Sequence, residues 1–120
     1  MFYGGLVILT MRISEVYWKQ TSLIKKAPEK MGIFATRSPV RPNPIALSAV
    51  EIININYMSG LIQIAYIDAN DKTSILDIKP YTPSLDRVEN PQVPDWCSHW
   101  PHSLEESASF AWENEFNFKE

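Results

Sequence analysis

A chain of 120 residues can build one domain with a modest core and is too short for two. Hydrophobic residues make up 45% and charged residues 21%, an ordinary globular balance, and no run of eighteen apolar residues occurs, which argues against a membrane-spanning helix. The net charge of −3 hides an asymmetry: residues 1 to 50 carry +5 (Arg12, Lys19, Lys25, Lys26, Lys30, Arg37 and Arg41 against Glu15 and Glu29), and residues 51 to 120 carry −8. The basic half can serve a polyanionic partner or be plain solvated surface.

The apolar stretch Leu6 to Met11 has no basic flank before it and no small-residue cleavage site, so it does not read as a secretory signal. The single Cys97 cannot form an internal disulfide and fits a reducing cytoplasm. In chain order, Leu6-Val7-Ile8-Leu9 reads as a buried strand. Residues 18 to 30, polar and basic with Pro28, read as a long connection, and Met31 to Thr36 as a second strand. Pro39, Pro42 and Pro44 fall within six residues, a density that forbids helix and ladder pairing, so Ser38 to Pro44 is predicted to be an extended, stiff loop. Ile45 to Asn56 follows as a long strand and Asn56 to Gly60 as a turn. Leu61 to Ile67 reads as a strand buried on both faces, Asp68 to Lys72 as a turn, and Ser74 to Ile78 as a short strand ended by Pro80 and Pro83.

The tail differs. Ser103-Leu-Glu-Glu106 has the capping-box spacing, and Leu104, Ala108, Ala111, Trp112 and Glu115 follow at helical intervals, which predicts a helix near 104 to 114. Short strands divided by turns, with this one helix, predict an all-β barrel or sandwich. Gly4, Gly5, Gly32 and Gly60 form no Gly-rich strand-to-helix loop, which disfavours a Rossmann methyltransferase. Cys97, His99 and His102, with Asp95, are close enough in sequence to bind zinc. Packing of Pro94, Trp96, Trp100 and Pro101 explains the same segment without metal, and no metal is expected.

The densest information lies in Gly32-Ile-Phe-Ala-Thr-Arg-Ser-Pro-Val-Arg-Pro-Asn-Pro-Ile-Ala-Leu-Ser48. Two arginines sit on a loop whose prolines remove the entropy cost of holding them, and planar guanidinium groups suit carboxylates and phosphates. This stretch, with Ile75-Leu-Asp-Ile-Lys-Pro-Tyr-Thr-Pro-Ser-Leu-Asp86, resembles the two signature motifs of the TsaA-like (TrmO-type) family. Ala46 stands where that family usually has Gly. The resemblance covers roughly Leu6 to Asn90. It implies a small β-barrel with long loops and a short C-terminal helix. Residues 1–120 would form a single domain, with about 91–120 a tail packed on the barrel. It also implies a cytoplasmic homodimer that uses S-adenosyl-L-methionine to methylate the exocyclic amine of a modified adenosine beside the tRNA anticodon.

Residue by residue, the resemblance makes Arg37 and Leu47 cofactor contacts, and Asp71, Lys72, Thr73 and Ser74 the turn against the cofactor, where Asp-Gly-Thr-Pro is usual. Asp77, Lys79 and Tyr81 match the motif near the reacting end. Asp77 and Tyr81 are the expected catalytic residues, and Arg41, Asn43 and Lys79 the expected substrate contacts. Relatives contribute further cofactor contacts from a segment before the position of Met1, and their usual His on the first strand is replaced by Met11 or Arg12. An adenine amine is a poor nucleophile because its lone pair is conjugated into the ring. Asp77 could hold one amine hydrogen and localise that pair, or it could be a strand-end carboxylate bonded to backbone. Tyr81 could stack on a base or belong to the core. Two other functions fit the same residues: a non-catalytic S-adenosylmethionine or nucleotide-binding module, and an RNA-binding protein using only the basic half.

Overall fold

The computed structural model describes residues 4–11 and 24–117. Four strands, β1 (Gly5–Met11), β2 (Ile45–Asn56), β3 (Leu61–Ile64) and β4 (Ile75–Pro80), form one antiparallel sheet in the order β3-β2-β1-β4. Two short helices, α1 (Pro83–Asp86) and α2 (Leu104–Ala108), and three 3-10 turns complete the described chain. Among the described residues the sheet is open, so the closed barrel expected from the sequence is not formed by them.

The aliphatic run of β1 makes it the central strand. Pairing on both sides buries Val7 and Ile8, which point to opposite faces, together with Thr10. Val50 joins them from β2. The turn between β2 and β3 is built as its residues predict: Asn56 Oδ1 accepts from Met58 N and Ser59 N, and Gly60 takes a φ of 70°. A side chain there would be strained, so glycine is the fitting residue. Two bulges shift the register, one between Ile52 and Asn54 and one where β4 passes Leu9 and Thr10.

Several expectations need correcting. Residues 31 to 36 are not a strand: Ile33–Ala35 is a 3-10 turn. The strand predicted over 61 to 67 stops at Ile64, and it is not buried on both faces, since Leu61 is 63% exposed. It is an edge strand and covers little. The strand predicted to begin at Ser74 runs over Ile75–Pro80. The tail helix is shorter than its periodicity suggests. Ser103 Oγ accepts from Glu106 N as predicted, but α2 ends at Ala108, where Ser109 N and Phe110 N turn to i−3 carbonyls and the Trp112 indole also donates to Ser107 O. Residues 112 to 114 then form a separate 3-10 turn. The strand ends at Pro80 as expected, and Pro83 then opens α1, as proline at a first helical turn allows. The connection predicted over 18 to 30 lies outside the described residues up to residue 23, and so does Arg12. No described helix is long and apolar enough to cross a membrane.

Candidate functional site

The proline-rich loop is irregular, as predicted, and one side chain organises it. The Arg41 guanidinium nitrogen Nη1 donates to the carbonyls of Thr36 (2.7 Å), Phe34 (2.9 Å) and Ile33 (3.3 Å), and Arg41 Cζ lies 5.5 Å from the centre of the Phe34 ring. A strand would send successive carbonyls to opposite sides, so three converging on one nitrogen require the tight turn that replaces the expected strand. Thr36 Oγ1 closes it by donating to Ile33 O at 2.7 Å. Asn43 O accepts from Ile45 N at 2.8 Å and starts β2.

This loop borders a concavity of about 620 Å³ lined by Phe34, Arg37, Arg41, Leu47, Ser48 and Asp68. It forms there because the β3 ladder begins only at Ile52, leaving the first half of β2 with an open edge among the described residues. Arg37 is exposed, and Leu47 is 55% exposed, so an apolar surface and a guanidinium face the same space. Asp68 and Phe34 are members that sequence reasoning misses. Asp68 reads there only as a turn residue, and nothing in its neighbouring residues sets it apart as a partner of the arginine loop.

Asp71, Lys72 and Thr73 line a second concavity, of about 480 Å³, with Ile8, Thr10 and Ile64. The expected cofactor residues therefore divide between two concavities, and the chain from Ile67 to Thr73 borders both. Thr73 N and Oγ1 both donate to Asn70 O, and Ser74 O accepts from Met11 N at 3.2 Å, tying the turn to β1. Lys72 has a φ of 63°, a left-handed conformation that favours glycine.

Cross-strand register places the candidate reacting groups. Leu47 pairs with Leu9, and Leu9 pairs with Asp77, so all three share one face, with Leu47 and Asp77 about 10 Å apart across two strand spacings. Asp77 Oδ2 lies 2.8 Å from Lys79 Nζ, and Oδ1 accepts from Ile78 N at 2.9 Å. The hydrogen bond from Lys79 and then its charge hold the Asp77 carboxyl below its ordinary value and raise the Lys79 ammonium above its own. Asp77 is thus an ionised acceptor and a weak proton-taker. Tyr81 is half-buried. Its N donates to Gly5 O at 2.8 Å, and its Cβ would lie 3.3 Å from a Cβ added at Gly5.

Cys97, His99 and His102 do not converge. Cys97 Sγ is 3.4 Å from Pro94 O, His99 Nε2 is 2.9 Å from Glu115 Oε1, and His102 offers its backbone N to Glu106 Oε2.

Comparison with known proteins gives a consistent picture. The family model described as tRNA-methyltransferase O N-terminal domain matches residues 6–87. A probable S-adenosyl-L-methionine-binding protein of Pyrococcus abyssi is 42% identical over 79 residues, covering 66% of this chain and 41% of that protein. A tRNA (adenine(37)-N6)-methyltransferase of Eikenella corrodens is 38% identical over 89 residues, covering 73% of this chain and 48% of that protein. A crystal structure of TrmO superposes with a TM-score of 0.58 at 30% identity, over 76% of this chain and 38% of that one. The chain thus spans less than half the length of these relatives. With its matched segment holding both motifs and the sheet that carries them, the chain belongs to the tRNA-methyltransferase O N-terminal domain family.

Proposed function

We propose that this chain serves an S-adenosyl-L-methionine-dependent methyltransferase acting on the exocyclic amine of a modified adenosine beside the tRNA anticodon. The observation that supports this reading is the register row Leu47–Leu9–Asp77, in which Leu47, a lining residue of the arginine concavity, and the Asp77 carboxylate share one face of the sheet. The names of the relatives support it.

The residues of the arginine concavity fit the cofactor chemically. Arg37 suits the carboxylate of its methionine moiety, Asp68 suits the ammonium, and Phe34 and Leu47 offer apolar surface. When bound, S-adenosylmethionine supplies an electrophilic methyl group, so the protein has mainly to position and desolvate. Asp77 accepts one amine N–H and draws the nitrogen lone pair out of conjugation with the ring. Lys79 keeps that carboxylate ionised. Tyr81 stacks on the base. Arg41, expected as a substrate contact, here positions: its bonds to three carbonyls fix the loop from which Arg37 projects. Asn43 and Lys79 remain the proposed substrate contacts. The turn Asp71 to Ser74 would reach the cofactor from the neighbouring concavity. The same reading takes the open sheet as part of a barrel that works as a cytoplasmic homodimer; the exposed Ile53, Leu61 and Ile75 are the apolar surface that such assembly would cover.

Calorimetric titration with S-adenosylmethionine, beside transfer of labelled methyl to tRNA, tests the proposal. Binding with transfer is expected. Binding without transfer to any tRNA would put the non-catalytic module ahead, and tRNA binding without cofactor binding would leave an RNA-binding protein.

A further inference from the structure

Residues 95 to 116 have no part in the proposed transfer, yet a single carboxylate ties them together. Glu115 is only 6% exposed. Its Oε1 lies 2.9 Å from His99 Nε2 and its Oε2 accepts from Trp100 Nε1 at 3.0 Å, spanning 16 and 15 residues of chain. The Trp100 hydrogen bond and then the His99 hydrogen bond hold the Glu115 carboxyl below its ordinary value, with the charge of Lys26 acting in the same direction. Around it Trp96, Trp100, Trp112 and Phe110 pack edge to face. These rings are used on one another, which leaves them poor platforms for stacking bases.

The main chain of the same residue reaches elsewhere. Glu115 O accepts from Lys25 N at 2.8 Å, and Ile24 and Phe116 form an isolated antiparallel bridge. The segment held in this way carries Lys25, Lys26 and Lys30, all exposed, against one acid, Glu29. It runs directly into the loop that bears Arg37. Three lysines in six residues leading to an arginine concavity fit a phosphate backbone better than any single small anion.

We propose that the C-terminal segment braces residues 24 to 30 as a phosphate-contacting surface for RNA, with Glu115 as the positioning residue. This inference rests on the reading that RNA is the substrate. The brace works by order: lysines on a fixed segment lose less freedom when they meet phosphates than lysines on a free one.

The test compares the unmodified protein, Glu115→Gln, the double variant Lys25→Ala/Lys26→Ala, and the combination of all three. Each is measured for tRNA affinity across a salt series and for S-adenosylmethionine binding, and the unmodified protein and Glu115→Gln are also compared for tryptic cleavage after Lys25 and Lys26. Glu115→Gln is expected to speed cleavage there, weaken tRNA binding, and flatten the slope of log affinity against log salt by roughly 0.7–0.9 for each phosphate no longer neutralised. Cofactor binding is expected to stay unchanged. On the Lys25→Ala/Lys26→Ala background, Glu115→Gln should weaken tRNA binding no further. Equal losses on both backgrounds, or unchanged cleavage, would overturn the brace while leaving the methyltransferase reading intact. If the unmodified protein bound no tRNA, both would fall together. Should Glu115→Gln lose its melting transition, Trp100→Phe, which removes one donor and keeps the carboxylate, decides by the same comparison.

Discussion

The proline loop and the C-terminal tail solve one problem with opposite charges. Neither has enough regular structure to satisfy its own polar groups, and each gathers them on a single ionised side chain. Arg41 collects the carbonyls of Ile33, Phe34 and Thr36, and Glu115 collects the ring N–H groups of His99 and Trp100. The difference lies in what surrounds the charge. Arg41 is half-buried and lines an open concavity, whereas Glu115 is buried among aromatic rings. A charge at a rim can fix a loop whose other residues, such as Arg37, stay exposed. A charge under aromatic cover can only hold structure.

Truncation is the first way to break this comparison. Glu115→Ala should give the largest fall in melting temperature of the variants considered, exceeding that of Arg41→Ala, because it empties a buried carboxylate position and leaves the half-buried Trp100 ring donor without its partner. If Arg41→Ala proved the more damaging, the contrast between rim and interior would be wrong. Arg41→Ala should itself cost about 1–3 kcal/mol in denaturant unfolding, since the freed carbonyls are partly accessible to water. It should also weaken cofactor binding through the loosened Arg37 loop.

Acid should sharpen the contrast. The Glu115 carboxyl is held below its ordinary value in the folded chain. Its stabilisation is therefore fully present above the unfolded carboxylate value of about 4.3 and is lost as pH falls through the lower folded value. Melting temperatures of the unmodified protein and Glu115→Gln should differ most near neutral pH and converge below about pH 4. A difference that persisted unchanged at pH 3 would mean that the charge of Glu115 contributes nothing. The smallest effect is expected at Lys72, whose φ of 63° is strained for a side chain. Lys72→Gly should raise stability by about 0.5–1 kcal/mol, the relief of left-handed strain less the extra chain entropy of glycine. A loss of stability would show that the Lys72 side chain contributes more than its backbone costs.

Local chemistry was legible in the sequence. The prolines marked the irregular loop, β2 runs over the predicted Ile45–Asn56, Asn56 and Gly60 build their turn as expected, and Ser103 caps α2. Contacts between distant residues were not legible. Nothing in residues 31 to 36 announces that Arg41 will gather their carbonyls, and nothing in the helical spacing of the tail shows that the Trp112 indole will take Ser107 O. The register that sets Asp77 opposite Leu9 depends on two strands separated by more than sixty residues of chain. The grouping of the candidate residues was legible only in part. Arg37 and Leu47 meet in one concavity as their motif suggests, while Asp71 to Thr73 line another and Asp68, in sequence only a turn residue, joins the arginines.

The central claim is that one face of the sheet divides binding from chemistry, Arg37 serving the first and Asp77 the second. Single-turnover methylation of tRNA, measured beside calorimetric titration with S-adenosylmethionine, tests it most directly. Arg37→Ala should weaken cofactor or tRNA affinity with a lesser effect on the transfer step. Asp77→Asn should bind cofactor nearly as well and transfer methyl at least tenfold more slowly, a loss of about 1.4 kcal/mol or more in transition-state stabilisation. An Asp77→Asn protein that folds, binds cofactor and transfers methyl at the unmodified rate would contradict the account, leaving Asp77 a strand carboxylate paired with Lys79.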